Sequence, residues 1–154
     1  MTGVQTCALP ISQLMVELDL HLIGSMTSEW AQRSAIDVQE MLTLPLILPT
    51  EPHPLRTRLS ELAKQHHSKL NVYTEANSVT LQIELASANA GFAVVAESTT
   101  RGHVDSKRIF SIPIRNPSLK RSLVLASSPT LPASKATQVV QEALLDLRQK
   151  ILLA

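Results

Sequence analysis

Polar and apolar positions alternate from Val16 to Ile23: Val16, Leu18, Leu20 and Leu22 are apolar, while Glu17, Asp19 and His21 are polar. Period two over this length predicts a half-buried strand, which Gly24 ends. Ser25 to Leu42 is polar and irregular, with Trp30 as its large apolar anchor. Leu44-Pro45-Leu46-Ile47-Leu48-Pro49 is an apolar run between prolines, the pattern of a short strand buried on both faces. Thr50 to Pro54 is a turn into a helix, and Pro54 suits the first helical position because its missing N–H costs nothing there. Leu55, Leu59, Leu62 and Ala63 then share one helix face. That helix ends near His66 and His67, whose imidazoles favour the negative end of the helix dipole.

Leu70 to Glu75 alternates again and predicts a second strand. Ser78 is a good N-cap for a helix over Val79 to Ala90. Phe92 to Val95 is a third short buried strand, and Thr99 to Ser106 is a polar loop holding Arg101, Gly102 and His103. Ile109 to Ile114 and Ser122 to Ala126 are two further strands, and Ser127 to Pro132 a loop. From Ser134 onward, Val139, Val140, Ala143, Leu144, Leu147 and Ile151 form a helical stripe. Strands alternating with single helices predict an α/β fold with a largely parallel sheet. Antiparallel-looking returns near both ends keep it from being purely doubly wound.

Composition narrows the function classes. A chain of 154 residues is about one domain. With 44% apolar and 18% charged residues it is neither disordered nor collagen-like, and no uninterrupted apolar stretch reaches the ~18 residues of a membrane span. A net charge of +1 excludes a basic nucleic-acid surface spread over the whole chain. Cysteine occurs once, at Cys7, which excludes an intrachain disulfide and a cysteine-rich zinc site. The aromatics Trp30, Tyr73, Phe92 and Phe110 are too few for a base-stacking platform.

Met1 to Ile11 reads M-T-G-V-Q-T-C-A-L-P-I, the string that a common short-read sequencing adapter encodes in one frame. A signal peptide would need a positive n-region and a long apolar stretch, and neither is present. Residues 1–11 are therefore expected to be non-native, with residues 12–154 forming the domain and the chain being the C-terminal part of something longer.

In open α/β sheets, ligands sit beyond the carboxyl ends of strands and against helix N-termini. Pro49-Thr50 and Asn77-Ser78 fall at such places. Each pair offers a hydroxyl and unpaired backbone N–H groups that suit a carboxylate or another small anion, with plain helix capping as the competing role for Thr50 and Ser78. His66 and His67 point to different helix faces and have no carboxylate at metal-site spacing, so no metal is expected. There is no G-x-S-x-G elbow and no phosphate-binding glycine loop, which leaves no catalytic residue and no cofactor to assign. The pairs Lys107-Arg108 and Lys120-Arg121 read as solvated surface.

The ordered set of residues resembles the effector-binding domain of LysR-type transcriptional regulators, nearest to their nitrogen-assimilation-regulator-like branch. Leu44 to Thr50 followed by Pro52-His53-Pro54-Leu55-Arg56 carries the first part of the likeness. Leu70-Asn71-Val72 with Glu75 and Ser78, then Ala90-Gly91-Phe92, continue it. Ile114, Asn116-Pro117, Leu119, Arg121, Leu123 to Ser127 and the helix after Pro132 complete it, from Leu14 to about Leu152. The resemblance implies a type II periplasmic-binding-protein-like fold, with one full subdomain over about 20–122 and the return strand and last helix of the other over about 123–154. Leu20 and Leu22, and Leu123 and Leu125, would lie on the two crossing hinge strands. A small, anionic effector would bind in the inter-subdomain cleft, at Pro49, Thr50, Asn77, Ser78 and Ala96.

The resemblance further implies a cytoplasmic fragment of a non-enzymatic regulator. The parent protein would be a homo-oligomer that meets DNA only through a winged-helix domain absent from this chain, and it would have no membrane contact. Two positions depart from the family. Asn89 stands where members usually carry glycine, and asparagine is the next-best residue for positive φ. Ala96 stands where members usually carry proline, which bears on the kind of effector accepted. The alternative is a periplasmic solute-binding protein of a transporter, which shares the architecture.

Overall fold

The alternation from Val16 to Ile23 lies within a strand, β1 (Ile11–Ser25), longer at both ends than the pattern indicates. In the computed structural model of the chain the described residues are 11–128 and 134–152. The adapter-like segment apart from Ile11 lies outside them, as does most of the loop read between Ser127 and Pro132. Leu18–Arg121 form one compact unit, and the described residues on either side of it form a second.

The Leu18–Arg121 unit holds β2 (Ile36–Asp37), α1 (Val38–Met41), β3 (Leu46–Leu48), α2 (Pro54–Gln65), β4 (Val72–Glu75), α3 (Val79–Ser87), β5 (Phe92–Ala96), α4 (Arg101–Asp105) and β6 (Ile109–Arg115). The strand order is β2-β6-β1-β5-β3-β4. β3 is parallel to both β4 and β5, and β2 is parallel to β6. β1 lies between β5 and β6 and is antiparallel to each, so the sheet is mixed rather than largely parallel.

Side chains alternate between the two faces of this sheet. Leu20, Leu22, Leu46, Leu48, Val94, Phe110 and Ile112 form one core cluster, with Leu59, Leu62 and Ala63 of α2 packed into it. Ile23, Ile47, Ala93, Val95 and Ile109 form the other, closed by Ile83 and Ala86 of α3. Because both faces are covered, Leu46, Ile47 and Leu48 are all fully buried. Removal from water is worth ~1.5–3 kcal/mol for each such side chain. α2 and α3 thus sit on opposite faces, joining β3 outward to β4 and β4 back across to β5.

Gly24 does not end β1. It lies within the strand, opposite Phe110. A Cβ there would stand 2.7 Å from a Phe92 ring carbon and 2.8 Å from one of Phe110, so glycine makes room for two rings. Trp30 meets Phe92 edge-on at 6.2 Å. Trp30 belongs to a single 3-10 turn, Glu29–Gln32, capped by Ser28.

Two stretches read as irregular contain structure. Within Ser25 to Leu42, β2 and α1 form, and Asn116 Nδ2 donates to Asp37 Oδ1 at 2.9 Å. Within Thr99 to Ser106, a 3-10 turn at Glu97–Thr99 leads into α4, and Thr100 is buried where they meet. At five residues α4 is too short to show a period, and its stability comes from packing.

α2, α3 and α4 end alike. His67, Asn89 and Lys107 adopt positive φ one residue past the cap. The next N–H then reaches back to the third-last helical carbonyl: Ser68 to Ala63, Ala90 to Leu85, and Arg108 to His103. Asn89 therefore supplies the positive-φ residue of this turn without a glycine. α3 stops at Ser87 rather than at Ala90.

In the second unit, β7 (Lys120–Ser127, whose first two residues belong to the other unit) pairs with β1, and α5 (Lys135–Leu152) follows. Ser134 Oγ caps α5 by accepting from Thr137 N at 3.1 Å. The predicted stripe on α5 is exposed at Val139, Val140, Leu144 and Leu147, and Leu147 is 50% accessible. A groove of about 380 Å3 between β7 and α5 is lined by Leu125, Ala126, Val140 and Leu144. Leu20 and Leu22 are core residues of the first unit, while Leu123 and Leu125 lie in the second.

Candidate functional site

β3, β4 and β5 are mutually parallel, so their carboxyl ends open on one edge. Leu48 pairs with Glu75, and Ile47 with Ala93, which by continuation sets Thr50 level with Ala96. The N-termini of α2 and α3 start from the same edge. Pro49, Thr50, Asn77, Ser78 and Ala96 are thereby brought to one rim of the first unit.

Their hydrogen bonding corrects the sequence reading of Thr50. Its backbone N–H and its hydroxyl both donate to Asn77 Oδ1, at 3.0 Å each. Thr50 is thus neither a helix cap nor a source of free donors. The cap of α2 is His53, whose Nδ1 accepts from Leu55 N at 3.1 Å. Ser78 does cap α3, accepting from Leu81 N at 3.4 Å. Ala76 N donates to Leu48 O, and the buried Gln82 side chain donates to Ala76 O at 2.6 Å, so the turn before α3 is tied to both β3 and α3. The Ser78 hydroxyl proton, Asn77 Nδ2 and the Val79 and Thr80 N–H groups make no hydrogen bond among the described residues. Ala96 is buried opposite Leu20, and its carbonyl accepts from Thr99 Oγ1 at 2.5 Å.

Arg56, quoted above only as part of the likeness, also stands at this rim. Its side chain is 14% exposed, with Nη1 3.5 Å from Glu75 Oε1 and Nε 3.8 Å from Glu51 Oε1. These are ion-pair distances, and Nε and Nη1 are shielded without a hydrogen bond. The guanidinium therefore screens two carboxylates at the rim. The signal in sequence was a cation in the first turn of a helix, where the dipole disfavours it. Such a cation calls for acidic neighbours, and those lie on the turn before α2 and at the end of β4.

A mixed sheet covered on both faces, with parallel strand ends and two helix N-termini at one rim, fits the type II periplasmic-binding-like α/β fold that the resemblance implies. The chain belongs to the LysR substrate binding domain family, whose sequence profile matches residues 11–149. No curated protein sequence matches it. Among solved structures it is similar to the effector binding domain of QuiR in complex with shikimate, with 17% identity and a TM-score of 0.80 over 97% of this chain and 70% of that one. It is similar also to the regulatory domain of CcmR from Synechocystis PCC6803 in complex with 2-PG, with 16% identity and a TM-score of 0.81 over 96% and 71%. The BenM effector binding domain with benzoate aligns at 15% identity and a TM-score of 0.76, over 99% and 69%. At these identities the likeness establishes the fold.

Proposed function

We propose that the chain is the ligand-sensing part of a cytoplasmic LysR-type transcription regulator, taking a small anionic effector at the rim formed by Pro49, Thr50, Asn77, Ser78 and Ala96. The observation that carries this reading is the meeting of three parallel strand ends with the N-termini of α2 and α3, where backbone N–H groups favour negative charge. Asn77 and Ser78 offer the donors left free at α3. Thr50 holds Asn77 in place, and Ala96 shapes the apolar side of the rim. Solved domains of the same fold hold shikimate and benzoate, both carboxylates, and this supports the same chemical class here.

In the parent oligomer the effector acts by binding one conformation better than another, by on the order of 1–3 kcal/mol. DNA contact belongs to a part of the parent outside this chain. The family match favours a regulator over the solute-binding protein of a transporter.

Thermal unfolding in the presence of a panel of small carboxylates tests the reading. A true effector at ~100 times its Kd stabilises by about 2.7 kcal/mol, and Ser78→Ala weakens the gain. Stabilisation by uncharged or cationic compounds alone would contradict it.

A further inference from the structure

Opposite the face covered by α2, the sheet carries a second polar constellation. His21 on β1 and Ser111 on β6 lie on the same face as Ile23 and Ile109, next to Thr100 at the start of α4. His21 Nδ1 and Ser111 Oγ are 3.0 Å apart, Ser111 Oγ and Thr100 Oγ1 are 3.4 Å apart, and Thr100 Oγ1 donates to Glu97 O at 2.7 Å. Thr100 is 1% exposed, and His21 and Ser111 are half-buried.

Hydroxyl protons decide the direction of this chain. Thr100 has one, and the short contact to the Glu97 carbonyl takes it. Ser111 then has two possible acceptors. Thr100 Oγ1 at 3.4 Å is beyond the ordinary O–H···O range, whereas His21 Nδ1 at 3.0 Å is within reach. The shorter contact favours a neutral imidazole that keeps its proton on Nε2 and accepts at Nδ1. A protonated imidazole has no acceptor left. Its Nδ1–H must donate to Ser111, whose own proton then turns to Thr100 Oγ1, and that contact has to shorten.

We propose that His21, Ser111 and Thr100 form a reversible hydrogen-bond relay by which protonation of the β1 imidazole is transmitted to the Ala96–Thr100 turn. The turn is the one that leaves the candidate rim: Thr99 bonds the Ala96 carbonyl, and Ala96 pairs with Leu20, the neighbour of His21. The charged groups facing the imidazole are Asp19 on its own strand and Glu97 on the turn. Glu97 is paired with Arg101 of α4 at 3.3 Å, which lessens its pull on a proton. The residues opposite His21 in the sheet are Val95 on β5 and Pro113 on β6, and neither titrates. Burial accordingly outweighs the two carboxylates and holds the imidazole below its ordinary value. The relay thus rests in its neutral state near neutral pH and reverses on acidification. It does not depend on the effector reading, since it operates in the unliganded chain.

Nitrogen-15 NMR of the histidine rings in the full chain, followed from about pH 8 to about pH 5 across the ordinary imidazole midpoint, tests the relay. Neutral His21 should show an unprotonated Nδ1, and the Glu97 and Thr100 amide signals should titrate with the His21 midpoint. In Ser111→Ala the imidazole should still titrate, with the Glu97 and Thr100 response losing most of its amplitude. A neutral His21 that carries its proton on Nδ1 would overturn the proposal in the unmodified chain, whatever the variant does. An amide response unchanged in Ser111→Ala would equally overturn it, because it would then be a through-space effect of charge.

Discussion

Asn77 Oδ1 accepts both the backbone N–H and the hydroxyl of Thr50, 27 residues earlier in the chain, at 3.0 Å each. One side-chain oxygen thus fastens the turn after β3 to the turn after β4. The candidate rim is a single hydrogen-bonded unit rather than two separate loop ends.

Asn77→Ala takes the acceptor from both Thr50 donors. Water replaces it in part at this exposed position, so the expected loss is ~1 kcal/mol, read as a lower urea midpoint with unchanged slope. Asn77→Asp keeps an acceptor and should lose less. Equal losses in the two variants would show that the shared oxygen is not what holds the turns.

Gly24→Ala would push a methyl group to 2.7 and 2.8 Å from the rings of Phe92 and Phe110. Both rings are buried among core residues, so neither yields freely. Overpacking of this kind costs ~1–3 kcal/mol, and chemical denaturation should show it. A neutral Gly24→Ala would mean that the rings have room to turn.

The sequence made some of this legible. Leu46 to Leu48 read as doubly buried because an apolar run between prolines admits few other uses, and α2 and α3 were marked by Pro54, Ser78 and their apolar spacing. β2 and α4 were hidden because two and five residues are too few to show a period. His21 read as a solvent-facing polar position in an alternating strand. In the fold β1 is flanked on both sides by β5 and β6, so its polar face is partly covered and the imidazole is enclosed with Ser111 and Thr100. That Pro49-Thr50 and Asn77-Ser78 follow strands is legible from the apolar runs before them, but the Thr50–Asn77 pairing and the shielding of Arg56 depend on partners distant in sequence. No local pattern announces those.

Stability should fall on mild acidification through His21. Burial sets its folded-state value below the ordinary 6.5, so the unfolded chain binds the proton more readily. Stability is then complete above the unfolded value and declines as the pH falls from there through the lowered folded value. His21→Gln should flatten that part of the pH–stability curve, measured by denaturant melts at several pH values. A slope that survives the substitution would place the effect on another group.

Exposure predicts a contrast between two leucines. Leu62 is 2% accessible within the core, and Leu62→Ala should cost ~2–5 kcal/mol. Leu147 is 50% accessible on α5. Leu147→Lys should change stability by no more than ~0.5 kcal/mol while raising solubility. A loss of several kcal/mol at Leu147 would show that the α5 stripe is buried in solution.

A small anion is proposed to bind where β3, β4 and β5 end. Amide chemical-shift mapping during titration with small carboxylates tests this in one experiment. Saturable shifts, with one common dissociation constant, are expected at Thr50, Asn77, Ser78, Val79 and Ala96. Saturable shifts confined to other residues, such as those lining the groove between β7 and α5, would contradict it.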